Sequence, residues 1–116
     1  MEQEKQEASE EGLEYSPKEV VDYCHTLPIE WANRKKNSEF RYRAGLSIDS
    51  MEEYVRTIKL EYYMETVDDL NENHHGKLYI FKRMVLDKYW CYIKIKINRI
   101  EGGKIILVLS FHEDER

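Results

Sequence analysis

Residues 90–112, WCYIKIKINRIEGGKIILVLSFH, alternate in side-chain character with a period of two around one glycine pair, so they read as two β-strands folded back on each other. On the first strand Cys91, Ile93, Ile95 and Ile97 point one way, while Tyr92, Lys94 and Lys96 point the other. One side suits a core and the other suits water or a ligand. On the second strand Ile105, Leu107, Leu109 and Phe111 alternate with Ile106, Val108, Ser110 and His112. Glu101-Gly102-Gly103 supplies the turn, where glycine takes a positive φ without steric cost. If His112 lies on the side of Tyr92, a tyrosine, two lysines and a histidine share one surface.

Working outward, a third β-branched and aromatic run spans about 77 to 84, after a loop marked by Asn71, Asn73, His74, His75 and Gly76. Short connections make these three strands antiparallel neighbours. Upstream the period changes to 3.6. Met51, Tyr54, Val55 and Ile58 form an i, i+3, i+4, i+7 face behind a cap at Asp49 or Ser50. Leu60, Tyr63, Val67 and Leu70 continue that spacing to about residue 71, as one bent helix or two. Residues 29 to 46, with Trp31 and the basic run from Arg34 to Arg43, hold no sustained period and read as irregular. Ser16-Pro17-Lys18-Glu19 is a helix start, with a capping serine, proline at the first position and a glutamate that closes a capping box. Val20, Cys24 and Leu27 carry that helix to Pro28. The expected fold is α+β, helices followed by a C-terminal three-stranded antiparallel sheet.

The chain has 116 residues, enough for one domain with its own core. Its net charge of −5 arises from residues 1 to 14, where six glutamates face Lys5 alone; the remainder holds equal numbers of acidic and basic side chains. That segment is almost without large apolar groups and is expected to be a disordered acidic tail, leaving 15 to 116 as the domain. A locally basic site is compatible with such a balance. No apolar run is long enough to cross a bilayer, so the expected location is the cytoplasm, where Cys24 and Cys91 stay reduced and pack as small apolar residues.

Cleaving RNA without a metal requires a base for the 2′-hydroxyl, positive charge for the phosphate and an acid for the 5′-oxygen. Histidine, lysine, arginine and tyrosine supply those functions. Tyr92, Lys94, Lys96 and His112 are therefore the candidate catalytic residues, although strand alternation by itself also describes an ordinary solvated face. Adjacent His74 and His75 do not converge on a metal from one regular element, and no Cys or carboxylate cluster with ligand spacing surrounds them, so no metal or cofactor is expected. The basic run, with Phe40 and Tyr42 interleaved, could hold a phosphate backbone and stack bases, although such a run is more often a solvated loop. Gly-rich phosphate loops and nucleophile elbows are missing from the sequence.

Tyr92-Ile93-Lys94-Ile95-Lys96-Ile97, the Gly-Gly turn and Ile106-Leu107-Val108-Leu109-Ser110-Phe111-His112-Glu113 resemble the ending of MqsR-type toxins, which close on a Tyr-x-Lys strand and a strand ending in Ser-Phe and a basic residue. Ala44-Gly45-Leu46-Ser47-Ile48-Asp49-Ser50-Met51 is similar to the family's Gly-Leu-x-x-Asp-x-Met stretch. Leu60-Glu61-Tyr62-Tyr63 and Asn73-His74 fall near its acidic-aromatic helix start and Asp-His loop. The resemblance implies a RelE-like fold, metal-independent endoribonuclease activity on mRNA, and a neutralising antitoxin encoded by a neighbouring gene. It places the family's sheet tyrosine on Tyr92 and its terminal basic residue on His112. The family's lysine falls near Met64 and its glutamine near Leu78, so Lys77, Lys82, Arg83 or the His74-His75 pair are candidates to bind substrate in their place. The rival expectation is a catalytically inactive relative that binds RNA or protein.

Overall fold

The computed structural model describes residues 14–70 and 76–115. Within them α1 (Pro17–Thr26), β1 (Ile29–Trp31), α2 (Lys35–Ala44), α3 (Ile48–Arg56), a 3₁₀ turn at Leu60–Tyr62, β2 (Tyr63–Asp68), β3 (Lys77–Val85), β4 (Tyr89–Ile100) and β5 (Gly103–Glu113) follow in order. The strands form one five-stranded mixed sheet in the order β1-β5-β4-β3-β2. β1 runs parallel to β5, and the other neighbours are antiparallel.

This sheet corrects the expected fold, which had a C-terminal three-stranded antiparallel sheet of RelE type. Two edge strands were not anticipated. Tyr63, Val67 and Leu70 fit a helical period, but the β-branched pair Thr66-Val67 and aromatic Tyr63 also suit a strand, and β3 offers an open edge to pair with. The helix expected to reach residue 71 therefore stops at Arg56, and β2 follows. On the opposite edge, Pro28 ends the approach from α1, its carbonyl accepts from the Ile106 N–H at 2.8 Å, and Ala32 N–H donates to the Val108 carbonyl at 2.9 Å. Those bonds close the outer side of β5 with three residues of β1.

Each helix has a local cause. Ser16 accepts from the Glu19 N–H while Glu19 accepts from the Ser16 N–H, the expected capping box. The basic run expected to be irregular instead forms α2. Gly45, at φ +72°, ends it with bonds from Gly45 N–H to the Tyr42 carbonyl and from Leu46 N–H to the Arg41 carbonyl. Ser47, two or three residues before the expected caps Asp49 and Ser50, accepts from Ser50 N–H and opens α3.

The helices bury Val20, Cys24, Phe40, Met51 and Val55 against one sheet face, where Phe81, Cys91, Ile93, Ile95, Ile106, Val108 and Phe111 are wholly enclosed. Fully burying such side chains contributes about 1.5–3 kcal/mol each. The opposite face contributes nothing to that cluster but has a buried set of its own, Leu78, Ile80, Ile105, Lys96 and Ser110. We call it the open face, after the part-exposed Tyr92, Lys94 and His112 beside them.

Between Lys94 and Ile95 the β4–β5 register shifts: Lys94 pairs with Ser110 but Ile95 with Val108, leaving Leu109 as an extra residue. The buried amide of Asn37 on α2 closes this bulge. Its Nδ2 donates to the Leu109 carbonyl at 3.0 Å, and its Oδ1 accepts from the Phe111 N–H at 2.9 Å. Helix α2 is thereby fixed against β5.

Candidate functional site

The open face is a set of cross-strand rows. Met84 on β3 pairs with Trp90 on β4, both part-exposed apolar residues at one end. In the next row Lys82 pairs with Tyr92, and Tyr92 with His112 on β5. Ile80, Lys94 and Ser110 form the third row. The alternation that separated Tyr92 from Ile93 thus brings a lysine, a phenol and an imidazole side by side.

The Tyr92 and His112 rings stack with centroids 5.7 Å apart and planes 18° from parallel. His112 Nδ1 lies 3.0 Å from the Glu113 carbonyl oxygen. A carbonyl only accepts, so in this bond Nδ1 carries the hydrogen and a neutral ring keeps its lone pair on Nε2. Burial, helped by the Glu65 and Asp114 carboxylates, raises the Tyr92 phenol above its ordinary range. It stays a protonated donor.

Lys82 Nζ is held 3.0 Å from Asp114 Oδ2, and the backbone N–H of Asp114 bonds the Trp90 carbonyl at 2.8 Å. The last described turn of chain is therefore tied to β3 and β4. Farther along the face Lys96 meets Asp69 at 2.7 Å, with both side chains largely enclosed, so its charge is locally neutralised. Lys94 differs. Burial holds its amine below the ordinary lysine range and Arg34 lowers it further, with Asp69 acting the other way.

The predicted residues thus divide. Tyr92, His112 and Lys82 come together, with Lys94 one row away, whereas Lys96 lies at the far end in its pair with Asp69. Lys77 pairs with Asp68 on the rim. Arg83 faces the helices, its guanidinium 4.9 Å and 5.0 Å from the Tyr54 and Tyr62 ring centres, with Nη1 bonded to the Tyr54 carbonyl and Thr57 Oγ1. His74 and His75 lie outside the described residues. Met64 is exposed at an irregularity in β2, and Leu78 is buried, so neither position supplies the polar group of the resembled family.

Asp114, Glu65 and Trp90 were not anticipated by sequence reasoning. The alternation itself carried the signal for two of them, since Trp90 shares the parity of Tyr92 and Asp114 that of His112. Among the described residues, no group of three or more His, Cys, Asp or Glu side chains is arranged to hold a metal ion. No helix among them is long and apolar enough to cross a membrane. Compared with family models, with curated proteins and with solved structures, the chain matches none.

Proposed function

We propose that this chain is a metal-independent endoribonuclease, the toxin of a toxin-antitoxin pair, which cuts mRNA laid across the open sheet face. The observation that carries the reading is the stacked Tyr92–His112 pair, with Lys82 paired to Tyr92 in the same row. His112 Nε2 takes the proton of the 2′-hydroxyl, and O2′ attacks phosphorus to form a 2′,3′-cyclic phosphate. The P–O5′ bond breaks, and O5′ takes the proton of the Tyr92 hydroxyl. Lys82 and Lys94 offset the charge that grows on the phosphate oxygens. The cytoplasm, where mRNA and an antitoxin are both available, is the setting this reading requires.

His112→Ala is expected to lower cleavage of an RNA oligomer by roughly 10²- to 10⁴-fold in a folded protein. His112→Lys separates the roles: recovery assigns charge stabilisation, and no recovery favours proton transfer. Parental cleavage by His112→Ala would remove the assignment. Activity should persist in a chelator, and expression in bacteria should arrest growth unless the antitoxin is present.

A second reading has its own support. Lys82 and Lys96 are both matched by aspartates, which reduces the positive charge offered to a phosphate. A catalytically inactive relative that binds RNA or protein on this face fits that balance. Wild-type protein that binds an RNA oligomer and leaves it intact would select it.

A further inference from the structure

Beyond the Tyr92–His112 row the open face sinks into a hollow of about 470 Å³, within the size range of small-molecule sites. Val67, Leu78, Leu107 and Leu109 give it an apolar wall. Its charges are unequally matched. Lys96 is paired with Asp69, and Asp68 with Lys77. Lys94 and Arg34 also line the hollow, and among the described residues neither side chain makes a hydrogen bond or a close ion pair, Asp69 attracting Lys94 only while paired to Lys96. Two positive groups are thus left over beside a surface of leucines. Arg34 disfavours the charged form of Lys94, a repulsion that an anion held between the two would offset.

A leucine wall with two unmatched cations fits a ligand that has a flat apolar body and one anionic group. Asn98, also in the lining, presents both a donor and an acceptor, which suits the edge of a heterocycle. We infer that the hollow binds a 5′-phosphorylated nucleoside, with the base against Leu78, Leu107 and Leu109 and the phosphate between Lys94 and Arg34. The class of ligand rests in part on the endoribonuclease reading, under which the hollow holds the nucleotide next to the scissile phosphate. Lys94 belongs to the row adjoining Tyr92 and His112, which gives that placement its geometry. A free mononucleotide presents the same chemistry.

The test is calorimetric titration with the four 5′-mononucleotides, ribose 5-phosphate and inorganic phosphate, alongside cleavage of an RNA oligomer. At least one mononucleotide should bind, and ribose 5-phosphate, which lacks the base, should bind about tenfold more weakly or less. Lys94→Gln should weaken the nucleotide by about tenfold or more, and Arg34→Gln, at an exposed position, checks the same charge independently. His112→Ala should keep nucleotide binding while losing cleavage. The inference is overturned if no mononucleotide binds, if both glutamine variants bind it as the parent does, or if inorganic phosphate binds equally well. Nucleotide binding that depends on Lys94 in a protein that cuts no RNA would uphold the hollow as a free-nucleotide site and overturn the endoribonuclease reading. RNA cleavage without nucleotide binding would do the reverse.

Discussion

Phe111 and His112 are neighbours on β5, yet the first is wholly buried beneath α2 and the second stacks on Tyr92 at a part-exposed surface. The same division runs along β4, where Cys91, Ile93 and Ile95 are sealed and Tyr92 and Lys94 are not. One face is constrained by volume, because each ring and methyl group must fit those of three helices. The other is constrained by charge, because Lys82 and Lys96 each meet an aspartate there. On the endoribonuclease reading, the main core and the proposed chemistry therefore occupy opposite sides of the same backbone, so substitutions one residue apart should have separable effects.

The largest effect on stability should come from Phe111→Ala. It removes a ring in contact with Trp31 and Phe40 and should cost about 3–5 kcal/mol, read as a lowered denaturation midpoint. Asn37→Ala tests how the faces are joined. It leaves the Leu109 carbonyl and the Phe111 N–H without their partner and should cost about 1–3 kcal/mol.

Alkali should weaken the sealed face first. Burial pushes both the Cys24 and Cys91 thiols up to about 12. The folded protein keeps those protons after unfolded thiols, near 8.5, have begun to lose theirs, so stability falls as pH rises from there towards 12. By pH 9 the two thiols should remove on the order of 1 kcal/mol, and a thiol reagent should modify them no faster than the protein opens. A midpoint that rises between pH 8 and 9 would contradict the enclosure. The smallest effect belongs to His112→Ala, whose stability change should stay within about 0.5 kcal/mol.

Strands β4 and β5 were legible because they alternate over long runs, β3 because it is a β-branched and aromatic run after a turn signal, and α1 because its capping box is local. The rest was concealed for different reasons. β1 is three residues long and depends on β5 for its bonds, so it has no period of its own. α2 buries only Asn37 and Phe40, and its outer residues are mostly charged, so no apolar stripe announces it. β2 satisfies the helical and the extended pattern at once, and only the free edge of β3 decides between them.

The site was half legible. Parity put Tyr92 and His112 on one face only if the polar sets of the two strands lay on the same side, and strict alternation would have put Ile106 and Val108 there as well. They are buried on the core face instead, because the bulge changes the parity of β5 midway. Leu-Val-Leu is apolar in either phase, so nothing in the sequence marks where that change occurs. The matching of Lys82 to Asp114 and Lys96 to Asp69 spans distant segments, which composition cannot reveal.

That one surplus residue gives β5 something like a reading frame for inside and outside. Inserting a residue at most positions in a strand would transpose everything beyond it, carrying His112 indoors and Phe111 out. Leu109 is where the frame already slips, so deleting it leaves Val108 opposite Ile95 and Ser110 opposite Lys94, with both ends of the strand still in phase. A lineage could lose or regain that residue without scrambling the sheet. What would change is the grip of Asn37, and with it the seating of α2 beside the open face.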